Sequence, residues 1–295
     1  MAILFICGLA PAATEDGRPA QDTSRIVSIG GAVTETLFAL GLGNKVIAVD
    51  QTSTYPAAAG ALPNVGYART LTPEGVLSVG PSLILAIEGS GPPETLAVLK
   101  SASVPVVMIP EGHDAEGVIR KVEAVAGAVG ATEAGARLVA ALKADFAQVA
   151  GDVARLENRP RAAFVLSAAS GTAVVGGAGT SADAMLRLAG AENAMSGITG
   201  YKPAVDEAAF AADPQAVVVM SGAGQVLTAP MIFALPAFKG TTAARDDRFV
   251  ALPGSYLLGF GPRTPQAVRD LALALRPGET LPSLPPRSWA QEAMP

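Results

Sequence analysis

The sequence predicts an α/β protein of two Rossmann-like lobes joined by a single long helix, with a ligand cleft between the lobes. Strand-length apolar runs alternate with helical patterns along both halves of the chain. The halves also read as copies: Glu74-Gly75-Val76-Leu77-Ser78-Val79-Gly80-Pro81-Ser82-Leu83-Ile84-Leu85 aligns without gaps on Glu207-Ala208-Ala209-Phe210-Ala211-Ala212-Asp213-Pro214-Gln215-Ala216-Val217-Val218. Each copy runs on into a glycine loop, Glu88-Gly89-Ser90-Gly91 and Ser221-Gly222-Ala223-Gly224, and each follows a Gly-Tyr pair, Gly66-Tyr67 and Gly200-Tyr201, the second out of register by one residue. Between the halves, residues 132–156 contain no proline, and Leu138, Leu142, Val149, Val153 and Leu156 recur at steps that make one apolar helical face.

Taken in order, residues 1–24 are signal-like. The apolar start to Ala13 ends in small residues, with Ala10-Pro11-Ala12 as a cleavage-site pattern, but it lacks the basic segment of a complete signal. The sequence therefore predicts secretion from a start lying inside the signal. Cys7 follows Phe5-Ile6, a poor context for a lipid anchor. The first lobe is expected over residues 25–131, with strands at 25–29, 46–49, 82–87 and 105–109 and helices at 33–40, 93–100 and 115–128. A short helix starts at the Thr72-Pro73 cap. The linking helix occupies 132–158, including its stop at Asn158-Arg159-Pro160. The second lobe spans 159–277, with strands at 161–166 and 216–220, a Gly176-Gly177-Ala178-Gly179 turn, and helices at 181–188 and 265–275. Residues 278–295, with the lone Trp289, read as a loosely attached tail.

Composition excludes several classes. At 295 residues, 50% hydrophobic and 16% charged, the chain can bury two cores of ordinary size. A net charge of −5 argues against nucleic acid as a partner. One cysteine and one histidine, Cys7 and His113, exclude a zinc cluster and leave any serine triad dependent on His113. His113 itself, in a polar loop, reads as a surface residue. No phosphate-binding GxxxxGK[ST], no G-x-G-x-x-G and no G-x-S-x-G elbow occurs. Glu88, Glu111, Asp114, Ser167, Ser170 and Ser221 thus have no catalytic frame, and the chain reads as a binding protein, not an enzyme. No run reaches the roughly 18–20 apolar residues that cross a bilayer.

One pair of side chains carries chemistry. Tyr67 and Arg69 stand two residues apart ahead of the Thr72-Pro73 helix, and in an extended loop both project from one side. Tyrosine binds a ferric ion as phenolate, its free pKa is about 10, and a neighbouring cation lowers it. An arginine can also fork onto a carboxylate. On spacing alone the pair is equally a packing tyrosine beside a solvated arginine.

The string Gly66-Tyr67-Ala68-Arg69-Thr70-Leu71-Thr72-Pro73-Glu74-Gly75-Val76-Leu77-Ser78 resembles the signature of haem-specific periplasmic binding proteins that serve bacterial ABC importers, a class III, helical-backbone family. The resemblance runs from Arg25 to about Pro277. It implies haem as transported ligand, Tyr67 as axial iron ligand, and Arg69 as a hydrogen-bond donor to the phenolate or to a haem propionate. Tyr201-Lys202-Pro203 is similar to a cleft-bordering segment of that family, which makes Lys202 a propionate contact or Tyr201 a packing wall. Glu35 in Thr34-Glu35-Thr36-Leu37 resembles the family's acidic knob that pairs with permease arginines, and Asp183 is its looser counterpart. A glutamate in a first helical turn has a plainer role, complementing the helix dipole. Tyr256, in Gly254-Ser255-Tyr256-Leu257-Leu258-Gly259, also resembles a family motif and reads as structural. The resemblance further implies a periplasmic monomer working with an inner-membrane ABC permease, its ATPase, and an outer-membrane haem receptor upstream. The alternatives are the same fold carrying a ferric siderophore or corrinoid, and, more remotely, a metal-dependent enzyme on two lobes.

Overall fold

A computed structural model describes residues 22–222 and 226–291. Residues 1–21 of the signal-like segment, with Cys7 and the Ala10-Pro11-Ala12 pattern, and Ala223-Gly224 of the second glycine loop lie outside them. The first lobe contains β1 (Ile26–Ile29), α1 (Gly31–Ala39), β2 (Val46–Val49), α2 (Ala57–Gly60), α3 (Pro73–Leu77), β3 (Leu83–Ile87), α4 (Pro93–Ser101), β4 (Val106–Ile109) and α5 (Ala115–Ala128). α6 (Thr132–Ala154) follows as one unbroken helix. The second lobe contains β5 (Arg161–Ala169), β6 (Thr172–Gly176), α7 (Ser181–Leu188), β7 (Glu192–Asn193), β8 (Tyr201–Pro203), α8 (Asp206–Ala212), β9 (Ala216–Ser221), α9 (Ala229–Phe233), α10 (Thr242–Arg245), β10 (Phe249–Pro253), α11 (Gly254–Leu258) and α12 (Thr264–Ala274). No helix among the described residues is long and apolar enough to cross a membrane.

The first sheet is parallel throughout, in the order β2-β1-β3-β4. Parallel sheets are covered on both faces, which is why β1 and most of β3 are continuously buried apolar runs. The second sheet has the order β10-β9-β5-β6-β8, with the short β7 pairing the start of β5. The repeat is visible here: β5, β9 and β10 are parallel and correspond to β1, β3 and β4. α7 and β7 then correspond to α1 and β2.

The lobes differ in one insertion. β5 pairs with β9 only from Ala162 to Val165, and the rest of the strand pairs antiparallel with β6, which pairs antiparallel with β8. Ser170 and Gly171 turn the β5–β6 hairpin with φ of 50° and 81°, the positive values a two-residue hairpin turn needs. This flap grows from the carboxyl end of the second sheet, the end at which parallel α/β sheets present ligand-facing loops. Only the Gly176–Gly179 turn of it is readable from sequence.

The largest core does not respect the lobes. Val118, Ile119 and Val122 of α5 and Leu138, Leu142, Phe146 and Val149 of α6 pack with Phe164, Met185, Leu186, Leu257, Phe260 and Leu271. Each such fully buried large side chain contributes roughly 1.5–3 kcal/mol. A continuous apolar core across the helical side therefore backs α6. The tail is not loose: Arg287 forks onto the buried Asp145 carboxylate of α6 at 2.6 and 3.0 Å, and the Tyr55 hydroxyl donates to the Trp289 carbonyl at 3.0 Å.

Candidate functional site

Tyr67 sits on a loop at the carboxyl end of the first sheet. Three backbone hydrogen bonds fasten that loop: Gly91 N–H to Ala68 O, Leu71 N–H to Gly91 O, and Gln51 N–H to Gly66 O, each 2.8–2.9 Å. Ala68 and Leu71 are buried in the first-lobe core, so the loop is anchored by its apolar members and presents the polar ones. Thr72 caps α3 by accepting the Gly75 N–H at 3.1 Å, with Pro73 as the first helical residue, as the sequence predicts.

The loop is not extended. The Thr70 N–H donates to Tyr67 O at 2.8 Å, closing a turn over residues 67–70. Tyr67 and Arg69 therefore flank this turn and do not alternate along a strand, which corrects the geometric premise of the pairing. The Arg69 guanidinium reaches the other loop, donating to Gly89 O at 3.4 Å.

Of the four tyrosines, Tyr67 alone is exposed, at 41%. Tyr55 is buried beneath the Arg263 guanidinium, which lies 3.4 Å from its ring centroid. Tyr256 is buried, its hydroxyl 2.7 Å from Asp270, and burial together with that carboxylate pushes its phenol well above the ordinary tyrosine value. It is structural, as its glycine-rich surroundings imply. Tyr201 is half-buried on β8, edge-on to Phe164 and hydrogen-bonded to the Ser181 hydroxyl at 2.9 Å. Among the described residues nothing hydrogen-bonds the Tyr67 hydroxyl. Lys202, next to Tyr201 and opposite Val175 in the flap, is exposed. Val205, 64% exposed, continues beyond β8, and the 78% exposed Val226 follows the second glycine loop.

The two acidic residues expected at exposed lobe tips are not there. Glu35 occupies the second turn of α1, is 5% exposed, and binds Arg263 through both oxygens at 2.6 and 3.0 Å. Burial pushes its carboxyl above the usual glutamate range, while Arg263 pulls the other way. Asp183 is 8% exposed: its carboxylate accepts from Asn193 Nδ2 at 3.0 Å and Gly179 N–H at 3.3 Å, with Arg187 3.5 Å away. Both carboxylates are consumed inside the fold, one between lobes and one at the start of α7. His113 likewise is no free surface residue, because its ring lies 5.0 Å from that of Phe260.

Interlobe contacts were beyond sequence reasoning. Besides Glu35–Arg263, the buried Lys121, held at 2.8 Å by Glu111 of its own lobe, donates across to Phe260 O at 3.2 Å, and Thr54 and Ser255 share a hydroxyl hydrogen bond at 2.9 Å. A cavity of about 380 Å3 lies beneath the tail beside α12, lined in part by Gln266, Arg269 and Pro285. None of Tyr67, Arg69, Tyr201 or Lys202 lines it. No cluster of three metal-ligating His, Cys, Asp or Glu side chains occurs among the described residues.

Comparison with known proteins agrees with this architecture. The chain is similar to the structure of the periplasmic heme-binding protein BhuT in complex with two hemes, at 42% identity and a TM-score of 0.81, over 85% of this chain and 97% of that one. An uncharacterized ABC transporter substrate-binding lipoprotein, YvrC of Bacillus subtilis, is 26% identical over 93% of this chain and 87% of its own length. A vitamin B12-binding protein of Yersinia pestis is 36% identical, but only over 88 residues, 30% of this chain and 31% of the relative. Residues 26–256 match the periplasmic binding protein family, whose members bind solutes and are not enzymes. With two α/β lobes on one connecting helix and that match across most of its length, the chain belongs to the periplasmic binding protein family.

Proposed function

We propose that this protein captures haem outside the cytoplasm, in the cleft between its lobes, and delivers it to an ABC permease of the inner membrane. The observation that carries the reading is the state of Tyr67: the one exposed tyrosine of four, on a loop tied by its backbone to the glycine loop after β3. Its phenolate oxygen would bind the ferric iron. Arg69, from the same turn, would donate to that oxygen or to a propionate, since a guanidinium forks readily onto carboxylates. Across the cleft, Lys202 would meet a propionate, and the exposed Val205 and Val226 would cover porphyrin surface, each Å2 of apolar area buried contributing about 25 cal/mol. Tyr201, with its hydroxyl engaged by Ser181, would serve as wall and not as iron ligand.

The match to a haem-binding relative over 97% of that chain supports this cargo over a corrinoid, for which the likeness reaches 31% of the relative. The likeness to an ABC transporter substrate-binding lipoprotein supports the permease as partner. Periplasmic localisation by way of a signal within the first 24 residues belongs to the same reading. The test presents hemin, cyanocobalamin and a ferric siderophore separately to the purified protein, followed by gel filtration. Hemin alone should co-elute. Retention of the corrinoid or the siderophore in place of hemin would overturn the assignment.

A further inference from the structure

The residues after α12 cross the molecule. Arg269 holds the carbonyls of Leu281 and Pro282 at 2.9 and 2.8 Å, against α12 of the second lobe. Gln148 donates to Ser283 O at 3.2 Å and Asp145 binds Arg287, both from the connecting helix α6. The helical turn Ser288–Ala290 then packs on α1, and the Trp289 carbonyl accepts from Tyr55, both in the first lobe. Within ten residues the chain touches the second lobe, the connecting helix and the first lobe.

These attachments differ from ordinary packing of a tail into a groove. Between its pinned points the segment arches over the cavity of about 380 Å3, whose walls include Ser283, Leu284, Pro285 and Pro286 on one side and Gln266 and Asp270 on the other. Prolines stiffen such a span by fixing φ. The Arg287–Asp145 fork is anchored on a carboxylate that is 1% exposed, and its geometry is bidentate and therefore directional. At the far end, the Tyr55 ring that binds the tail also carries Arg263 on its face, and Arg263 in turn holds Glu35. Tail, connecting helix and both lobes thus form one closed ring of contacts.

We propose that residues 281–290 are a strap that sets the angle between the lobes, holding the cleft near a single opening so that ligand enters and leaves without a wide hinge motion. The core along α6 and the Glu35–Arg263 pair already join the lobes on the helical side; an attachment that leaves one lobe and ends on the other adds a further restraint, because opening must then also break the fork at Asp145 or the hydrogen bond at Tyr55.

Two measurements test this. In a Cys7→Ser background, cysteines at the exposed positions Lys100 and Lys239, one in each lobe, are spin-labelled and their separation distribution measured by pulsed electron resonance. Adding Asp145→Ala, Arg287→Ala and Tyr55→Phe together removes the fork and the hydroxyl that holds the Trp289 carbonyl, without stranding a buried charge. The distribution should be narrow with the strap intact and broaden by about twofold without it, in line with released hinge motion, while thermal unfolding stays cooperative. An unchanged width would overturn the proposal. In the unaltered chain carrying only the two labels, the separation distribution should be a single narrow peak. A broad or two-peaked distribution with the strap intact would overturn the proposal independently of how the variant folds.

Discussion

Glu35 of α1 and Arg263 at the start of α12 lie 228 residues apart and meet in a buried, doubly hydrogen-bonded pair between the lobes, with oxygen–nitrogen distances of 2.6 and 3.0 Å. The guanidinium also stacks on Tyr55 at 3.4 Å. Taking two charges out of water is costly, so the pair's net contribution is small, but breaking it from one side is not.

Arg263→Ala should therefore lower the free energy of unfolding in urea by about 3–5 kcal/mol, the cost of a stranded buried carboxylate. Combining Arg263→Met with Glu35→Leu should recover most of that. A loss of under about 1 kcal/mol in the single variant would mean that Glu35 is hydrated or protonated in the fold.

Gly261 lets α1 and the segment before α12 approach. A Cβ there would stand 3.1 Å from the Glu35 carboxylate and 3.3 Å from the Ala32 Cα. Gly261→Ala should destabilise by about 1–3 kcal/mol, the usual range for overpacking, and should weaken the interlobe pair. Denaturant titration reads the loss; no change would show that the interface yields freely.

His113 is half-buried against Phe260, and burial holds its imidazole below the usual histidine value despite Glu111 and Asp114 nearby, with Lys121 acting in the same direction as burial. The neutral ring is favoured in the fold, so its contribution is present above the unfolded value of about 6.5. That contribution is lost as pH falls through the folded one. Stability should drop more steeply between pH 7 and 5 in the native protein than in His113→Gln. Parallel pH profiles would contradict this.

Arg69→Ala should weaken hemin binding by about tenfold, the loss of one charge-assisted hydrogen bond of about 1.4 kcal/mol, while leaving the spectrum of the bound iron nearly unchanged. A changed spectrum at unchanged affinity would assign Arg69 to the phenolate alone.

How far the sequence reaches depends on the range of the interaction. Local signals were sufficient where chain neighbours decide: the Thr72-Pro73 cap, the 3.6-residue apolar face of α6, and the buried runs of β1, β2 and β3 stand where the pattern puts them. The repeat predicted two matching α/β units because both copies keep the same helix–turn–strand order. The flap of β6 and β8 was not legible, since Thr-Ala-Val-Val-Gly and Tyr-Lys-Pro are too short to carry a pattern apart from their partners. Glu35 and Asp183 show the harder limit: a carboxylate on a helix looks solvent-facing until a distant arginine or asparagine claims it. The tail reads as loose for the same reason, because Arg287 finds Asp145 across 142 residues. The turn over residues 67–70, closed by the Thr70 N–H on Tyr67 O, was not legible from the spacing of Tyr67 and Arg69.

The central claim is that Tyr67 holds haem iron, and an absorption titration with hemin, run in parallel on Tyr67→Phe, tests it most directly. The native chain should give a saturable Soret shift with ferric, tyrosinate-type bands, and Tyr67→Phe should lose those bands together with most of the affinity. A native chain without a saturable shift, or a Tyr67→Phe variant that binds with the same spectrum and affinity, would contradict the account.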